Sequence, residues 1–370
     1  MKEDSAICGD NGTKSFIKVK RFFAVAFPIL SVVLAAVVIW VAMDSDEVSL
    51  PDVVGVAVNW WWVLGAVGVA YFFVAMESLR TQIMMKVTTG RSNLGLAFRD
   101  HTLNQFYQMV TPMMSGGHPY SVFYLHKNGL PVHEATSVAL ARYITGRIGF
   151  QTSTGLLMLV LFPVAAAQLG GGAVVGTGIV LSIVFNVILS VIMIYIAFSP
   201  FAARKLSSVS IWILVKVRLV RDREKAKRRT EETLWKYRVA IRKLQRRPGL
   251  MAAAVLMYMV AYTARQCMIF FIYAALFGWS WEVLPALLLG IILTDYLASF
   301  VPIPGGTGAM ELFFLAVFAT VMGSPQILVA VVLWKGLSYL LPIFNGVLVI
   351  AFDSIKSPKK RHTSTCENHS

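Results

Sequence analysis

The sequence predicts an all-α, polytopic integral membrane protein with about six full spans and two helical hairpins broken by proline and glycine. Three observations predict it. First, 57% of the 370 residues are hydrophobic and only 14% are charged, whereas about a quarter of a soluble domain is charged, so a soluble single domain is excluded. Second, six apolar runs, 22–43, 56–76, 136–164, 174–199, 250–278 and 325–352, are each long enough as helices to cross a hydrocarbon core of about 30 Å. Third, the formal charge of +15 is concentrated. From Arg204 to Arg247 sixteen Lys or Arg stand against four acids, which is +12 of the total.

This asymmetry sets the expected topology, because cytoplasmic loops of membrane proteins collect Lys and Arg. Residues 1–21 form a basic cytoplasmic tail, and the first span leads out to a loop carrying Asp44, Asp46, Glu47 and Asp52. Its apolar run is too long for a signal-peptide core and lacks a small-residue cleavage site, so it reads as retained. The second span returns to Arg80, Lys86 and Arg91 on the inside. Span 136–164 exits to the uncharged Gly170–Gly172 loop, and 174–199 returns to a basic insert over 200–249. Span 250–278 exits and 325–352 re-enters to the basic tail 353–370. Everything between residues 22 and 352, with its insert, is one membrane domain. Both termini are expected in the cytoplasm of a bacterial cell. Parity then requires the weaker apolar stretches 92–125 and 283–322 to cross an even number of times, which makes each a hairpin.

The hairpins resemble each other at an offset of 190: Leu103-Asn104-Gln105-Phe106 aligns with Leu293-Thr294-Asp295-Tyr296, and Val110-Thr111-Pro112 with Phe300-Val301-Pro302. After one gap, Gly116-Gly117 aligns with Gly305-Gly306. One hairpin is entered from each side, so the pair reads as an inverted repeat, a pattern that in transporters places a substrate site at the repeat interface. Two ordinary helix turns fit the same residues. In the basic insert, Leu234, Tyr237, Ile241 and Leu244 recur at helical spacing before Arg247-Pro248-Gly249, as in a basic amphipathic helix on an anionic lipid surface. A protein partner fits that charge less well, and nucleic acid least.

Ionisable groups within spans are costly and normally face a partner or a wet cavity. Six such residues are candidates: Arg142, Arg147, Arg265, Asp295, Glu311 and Lys335. The cations suit a lipid phosphate, arginine through its bidentate fork, with Arg147 and Arg265 foremost. Asp295 and Glu311 suit an ammonium or a proton, or balance the arginines. An ion-pair network that locks helices together uses the same residue types, and Arg142 and Lys335 are long enough to snorkel. The hairpin turns are marked by Pro112, Gly116 and Gly117 and by Pro302, Pro304, Gly305, Gly306 and Gly308. In the second, prolines stop the incoming helix and a new helix begins near Thr307, whose free N–H groups suit an anion. No Gly-Lys-Ser/Thr follows, so it is not a nucleotide P-loop. Glu311 stands four residues after Thr307, one too many for a capping box.

The segment Pro302-Ile303-Pro304-Gly305-Gly306-Thr307-Gly308-Ala309-Met310-Glu311, the earlier Thr111-Pro112 with Gly116-Gly117, and the order of spans resemble the transmembrane domain of lysylphosphatidylglycerol synthases and its stand-alone flippase-like relatives, over about residues 15 to 355. The resemblance implies a domain that moves aminoacylated phosphatidylglycerol between leaflets, while a separate soluble domain of the two-domain members transfers lysine from charged tRNA. Residues 353–370 leave no room for that domain, so a stand-alone member is expected, and a phosphatidylglycerol lysyltransferase label would overstate the chain. Two departures bear on the lipid. Met310 stands where many relatives carry Arg before the motif's Glu. Many relatives also carry a Glu-Arg…Asp cluster after the first hairpin, where Ala141-Arg142 is followed here by Thr145 and Gly146.

Enzymatic readings are weaker. His118, His126 and His133 surround the first hairpin without the i, i+4 spacing of a helical metal site. Ser115 and Ser121 lack a Gly-x-Ser-x-Gly context. Cys8, Cys267 and Cys366 have no disulfide or metal spacing. Trp60, Trp61 and Trp62 read as an interfacial belt. No cofactor or metal is called for. The expected partners are an anionic phospholipid and the membrane, with a separate soluble synthase or a second copy of the chain as protein partner. The expected function is lipid translocation without an ATP site, and the rival is a membrane subunit or enzyme of lipid modification.

Overall fold

The computed structural model describes residues 49–111, 114–168, 245–299 and 308–356, with single positions at 40, 184, 188, 191, 192, 195 and 242. The two tails, spans 22–43 and 174–199, nearly all of the basic insert, and Pro112, Pro302, Pro304, Gly305 and Gly306 lie outside the described residues. The described part is helical throughout. A short α1 (Leu50–Val54) precedes α2 (Trp60–Thr89), α3 (Leu94–Met109), α4 (Gly117–Lys127) and α5 (Val132–Gln168). The second set is α6 (Pro248–Gln266), α7 (Met268–Phe277), α8 (Leu284–Ser299), α9 (Ala309–Phe318), α10 (Gln326–Lys335), a π-helical turn (Gly336–Leu340) and α11 (Leu341–Lys356). Three continuous helical runs, Trp60–Thr89, Pro248–Phe277 and Gln326–Ile355, are long and apolar enough to cross a membrane.

Local sequence explains the boundaries. The Asn59 side chain accepts from Trp61 N–H and starts α2, and Asn93 does the same for α3 through Leu96 N–H. Gly90 ends α2 in the left-handed region at φ 76°, its N–H on the Lys86 carbonyl. The helix therefore runs 13 residues beyond the expected span end at 76. Arg80 and Lys86, expected in an inner loop, are helical residues, and Arg80 is buried. The reason is electrostatic: Glu77, one turn before Arg80, neutralises it and lets the helix continue through protein.

The two sets repeat each other. Helical runs begin at 60, 94, 117 and 132 in the first and at 248, 284, 309 and 326 in the second, so the offset is 188, 190, 192 and 194. In this succession α2 answers to α6–α7, and the hairpin α3–α4 to α8–α9. Likewise α5 answers to α10 with the π turn and α11. The halves are also inverted, because α2 lies antiparallel to its own counterpart. Asn59 N–H donates to the Ala275 carbonyl at 2.8 Å at one end, Arg80 lies over the Tyr258 ring further along, and Met84 packs with Ala254 beyond it. Each hairpin's first arm then packs on the last helix of the other half. Phe106 of α3 meets Gly346 of α11, and Met158 of α5 packs with Ala286, Leu289 and Ile292 of α8.

Apolar cores flank this interface. Ile269, Leu287, Phe314, Leu328 and Trp334 pack in the second half, and Met85, Leu103, Leu125 and Val138 in the first. At the Trp60 end, Trp62 stacks on Trp279 at 4.8 Å while Trp61 is 81% exposed.

Candidate functional site

Three polar groups are buried among these helices, and five of the six candidate residues divide between them. The first sits at the second hairpin. Gly308 takes φ 85°, a region open to glycine, and caps α9. With the helix starting at Ala309, Glu311 falls at the third helical position and its Oε2 accepts from Gly308 N–H at 2.7 Å. The capping relation absent with Thr307 as cap is thus present one residue later. The other carboxylate oxygen, Oε1, lies 2.8 Å from Lys335 Nζ. Lys335 is the last residue of α10, and its ammonium also lies 4.6 Å from the centroid of Tyr339, within the π turn. Both side chains are buried, so Lys335 does not snorkel, and Glu311 finds its cation on another helix although Met310 supplies none. Single π turns recur at functional sites because they widen a helix locally.

The second group lies in the second half and touches the first through Arg265. Asp295 of α8 accepts from Gln266 Nε2 at 3.1 Å, and the same amide nitrogen lies 3.1 Å from the Tyr262 hydroxyl. Gln266 and Cys267 mark the break between α6 and α7, so the amide is held where one helix ends and another begins. Gln266 is fully buried, yet its Oε1 has no hydrogen-bond partner. Arg265 acts electrostatically on Asp295 and lies over the Phe73 ring at 5.6 Å.

The third group is in the first half. Arg142 of α5 donates to Asp100 Oδ2 at 2.6 Å, and Ser121 of α4 donates to Asp100 Oδ1 at 2.6 Å. Beside it, Arg80 forks onto Glu77 through Nε and Nη2, both at 2.6 Å. Arg80 Nη1 reaches the Arg142 carbonyl and the Thr145 hydroxyl. His101 Nδ1 stands 4.0 Å from Glu77 Oε2. Arg142 is therefore paired rather than snorkelling, and the acids absent from its own helix come from α2 and α3. Arg147, by contrast, is exposed and lies over the Tyr143 ring at 5.4 Å.

The structure thus joins Glu311 to Lys335, sets Asp295 near Arg265, and gives Arg142 a separate partner. The second and third groups both touch α6, since Arg80 lies over the Tyr258 ring at 5.0 Å. Glu77, Asp100 and Gln266 are participants that hydropathy does not pick out. The i, i+3 spacing of Glu77 and Arg80 on a continuing helix is the signal that exposes the first. The glycines divide as well. A Cβ on Gly117 would stand 2.7 Å from the Asn104 carbonyl, so close approach of hairpin arms requires glycine there, whereas Gly308 has open space and serves by its φ. Among the described residues, no group of three or more His, Cys, Asp or Glu side chains is arranged to hold a metal.

Such an arrangement can present cations and carboxylates inside a bilayer without leaving either uncompensated, a condition that buried charge must meet. The family model described as the transmembrane region of lysylphosphatidylglycerol synthases matches residues 29–346. A comparison with curated proteins found no match.

Proposed function

The chain belongs to the family of lysylphosphatidylglycerol synthase transmembrane regions, and from that premise we propose that it binds the headgroup of an anionic phospholipid and moves it between leaflets. The observation that carries this reading is the inverted pair of broken hairpins, with ionisable side chains buried within each half. Inverted repeats exchange roles when one half rocks against the other, which opens a central site alternately to either side. Aminoacylated phosphatidylglycerol combines a phosphate with an ammonium, and the chain offers groups for both. Arg147 and Arg265 suit the phosphate; Asp295 and Glu311 suit the ammonium or a coupled proton. Lys335 holds Glu311 in place, and Arg142 holds Asp100.

In this reading the Thr89 end of α2 faces the cytoplasm of a bacterial cell, since the charge asymmetry puts both tails and the basic insert there. No ATP site is evident in the sequence, so movement is downhill or ion-coupled.

The test is transfer of a fluorescent aminoacyl-phosphatidylglycerol between leaflets of proteoliposomes. Wild type is expected to accelerate it, and Asp295→Asn and Glu311→Gln to abolish most of the acceleration while inserting normally. Wild-type rates in both variants would remove the site assignment. A wild-type chain that binds the lipid without moving it would point instead to a membrane subunit working with a separate synthase.

A further inference from the structure

Where the second arm of the first hairpin meets α5 lies a cluster of nitrogen donors that the ion-pair network does not use. His118 is the second residue of α4, and its ring meets Tyr143 edge-on at 5.0 Å. On the same ring lies the Arg147 guanidinium, at 5.4 Å. Among the described residues Arg147 has no carboxylate within ion-pair distance. On the same helix as Tyr143 and Arg147, Arg142, 3% exposed, spends Nη1 on Asp100 and leaves Nη2 buried with no hydrogen-bond partner. Asp100 also accepts from Ser121, one turn after His118 in α4, so the Arg142 pair is fastened to the same helix. His118 Nδ1 is buried and unpartnered too. The first turn of α4 adds the Gly117 and His118 N–H groups, which have no intrahelical acceptor.

Charge accounting gives the sign of the missing ligand. Glu77 neutralises Arg80 and Asp100 neutralises Arg142, so Arg147 is the surplus, one positive charge beside unfilled donors. A buried donor without an acceptor is destabilising. A helix start, a guanidinium with a spare N–H and a second, accessible guanidinium are the groups that recognise a phosphate oxyanion. A singly charged phosphodiester balances the surplus. We propose that His118, Arg142, Arg147 and the start of α4 form the subsite that takes the phosphate of the headgroup, with exposed Arg147 at its mouth and buried Arg142 at its floor. This deepens the translocation reading and rests on it only in taking the ligand to be a phosphate-bearing headgroup. It makes the first hairpin the phosphate half of the site and leaves the Glu311–Lys335 hairpin to the amine.

The test is native mass spectrometry of the detergent-purified full chain. Phosphatidylglycerol is the probe, diacylglycerol the phosphate-free control and inorganic phosphate the competitor. Arg147→Gln and His118→Phe, the latter keeping an aromatic ring against Tyr143, should each lower phosphatidylglycerol retention about tenfold, the equivalent of about one charge-assisted hydrogen bond. Diacylglycerol retention should not change, and Arg147→Lys should recover most of the loss. Displacement by inorganic phosphate would identify free phosphate as a ligand, and its failure to compete would identify the lipid headgroup; both outcomes uphold the subsite. Retention within twofold of wild type in both variants, or a parallel loss of diacylglycerol, would overturn it. Arg147 is exposed, so its variant reads out even if His118→Phe folds poorly. Failure here with Asp295→Asn and Glu311→Gln still blocking transfer would leave the translocation reading standing.

Discussion

Replacing Lys335 by methionine tests whether the Glu311–Lys335 pair is a lock or a working part. Methionine retains much of the apolar stem but removes the ammonium 2.8 Å from Glu311 Oε1. The carboxylate is 2% exposed, and Gly308 N–H donates to its other oxygen. Breaking one side of a buried pair costs about 3 to 5 kcal/mol, because the remaining charge is stranded away from water. For a chain of this size that corresponds to a fall in melting temperature of roughly 5 to 10 °C. The double variant Glu311→Gln/Lys335→Met removes both charges, while the glutamine oxygen can still accept from Gly308 N–H. Replacing a whole buried pair is near neutral, so its melting temperature should return close to that of wild type. Unfolding monitored by intrinsic fluorescence in detergent supplies all three midpoints, and leaflet transfer supplies the rates. A stable double variant with no transfer is the expected result. If the single and double variants melt together, the pair does not carry that energy. If the stable double variant transfers lipid at the wild-type rate, the pair only fastens two helices.

Two further outcomes follow from close packing and from surface charge. Gly346→Ala puts a Cβ 2.6 Å from Phe106 Cγ, where α11 crosses α3, and should cost about 1 to 3 kcal/mol, whereas Gly68→Ala in α2 meets nothing within 4 Å and should be neutral or slightly stabilising; thermal melts compare them. In α1, hydrogen bonds from the Ser49 hydroxyl and N–H hold the exposed Asp52 carboxyl below its ordinary value. A group depressed in the folded state stabilises it in full above the unfolded value and loses that contribution as pH falls through the folded one. The α1 cap should therefore be insensitive around neutrality and weaken only in acid. Ser49→Ala should raise the Asp52 midpoint seen by carbon-13 NMR, and an unchanged midpoint would discount the hydrogen bonds.

Much of the architecture is legible in the sequence because membrane crossing is a counting problem. Charge fixes which loops share a side, and the weak stretches then have to be hairpins. Their arms appear at 94–109 with 117–127 and at 284–299 with 309–318. The site is less legible. Hydropathy ends the second span at residue 76, just before Glu77, because two charges in four residues look like a loop. In three dimensions they cancel, and the helix runs to Thr89. Asp100 is hidden for a related reason, since its partner Arg142 is 42 residues away on another helix. Glu311 and Lys335 are both visible as isolated charges in apolar sequence, but only the fold shows that they belong to each other. The break after Gln266 carries no proline or glycine, so nothing local announces it.

The π turn at Gly336–Leu340 also acts as an angular setting. An α-helix advances about 100° per residue, so the extra residue accommodated in that turn fixes the rotational phase of everything that follows. At the far end of α11, Asp353 receives the Tyr124 hydroxyl at 2.7 Å and Arg99 Nη1 at 3.2 Å. Those contacts exist at one phase of the helix. Were the turn to tighten into regular α-helix, Asp353 would swing away from α3 and α4 by about a quarter of a revolution. Lys335 stands at the head of the same turn. A change of winding there would be felt as torque some 18 residues further along the chain, with no hinge between the two.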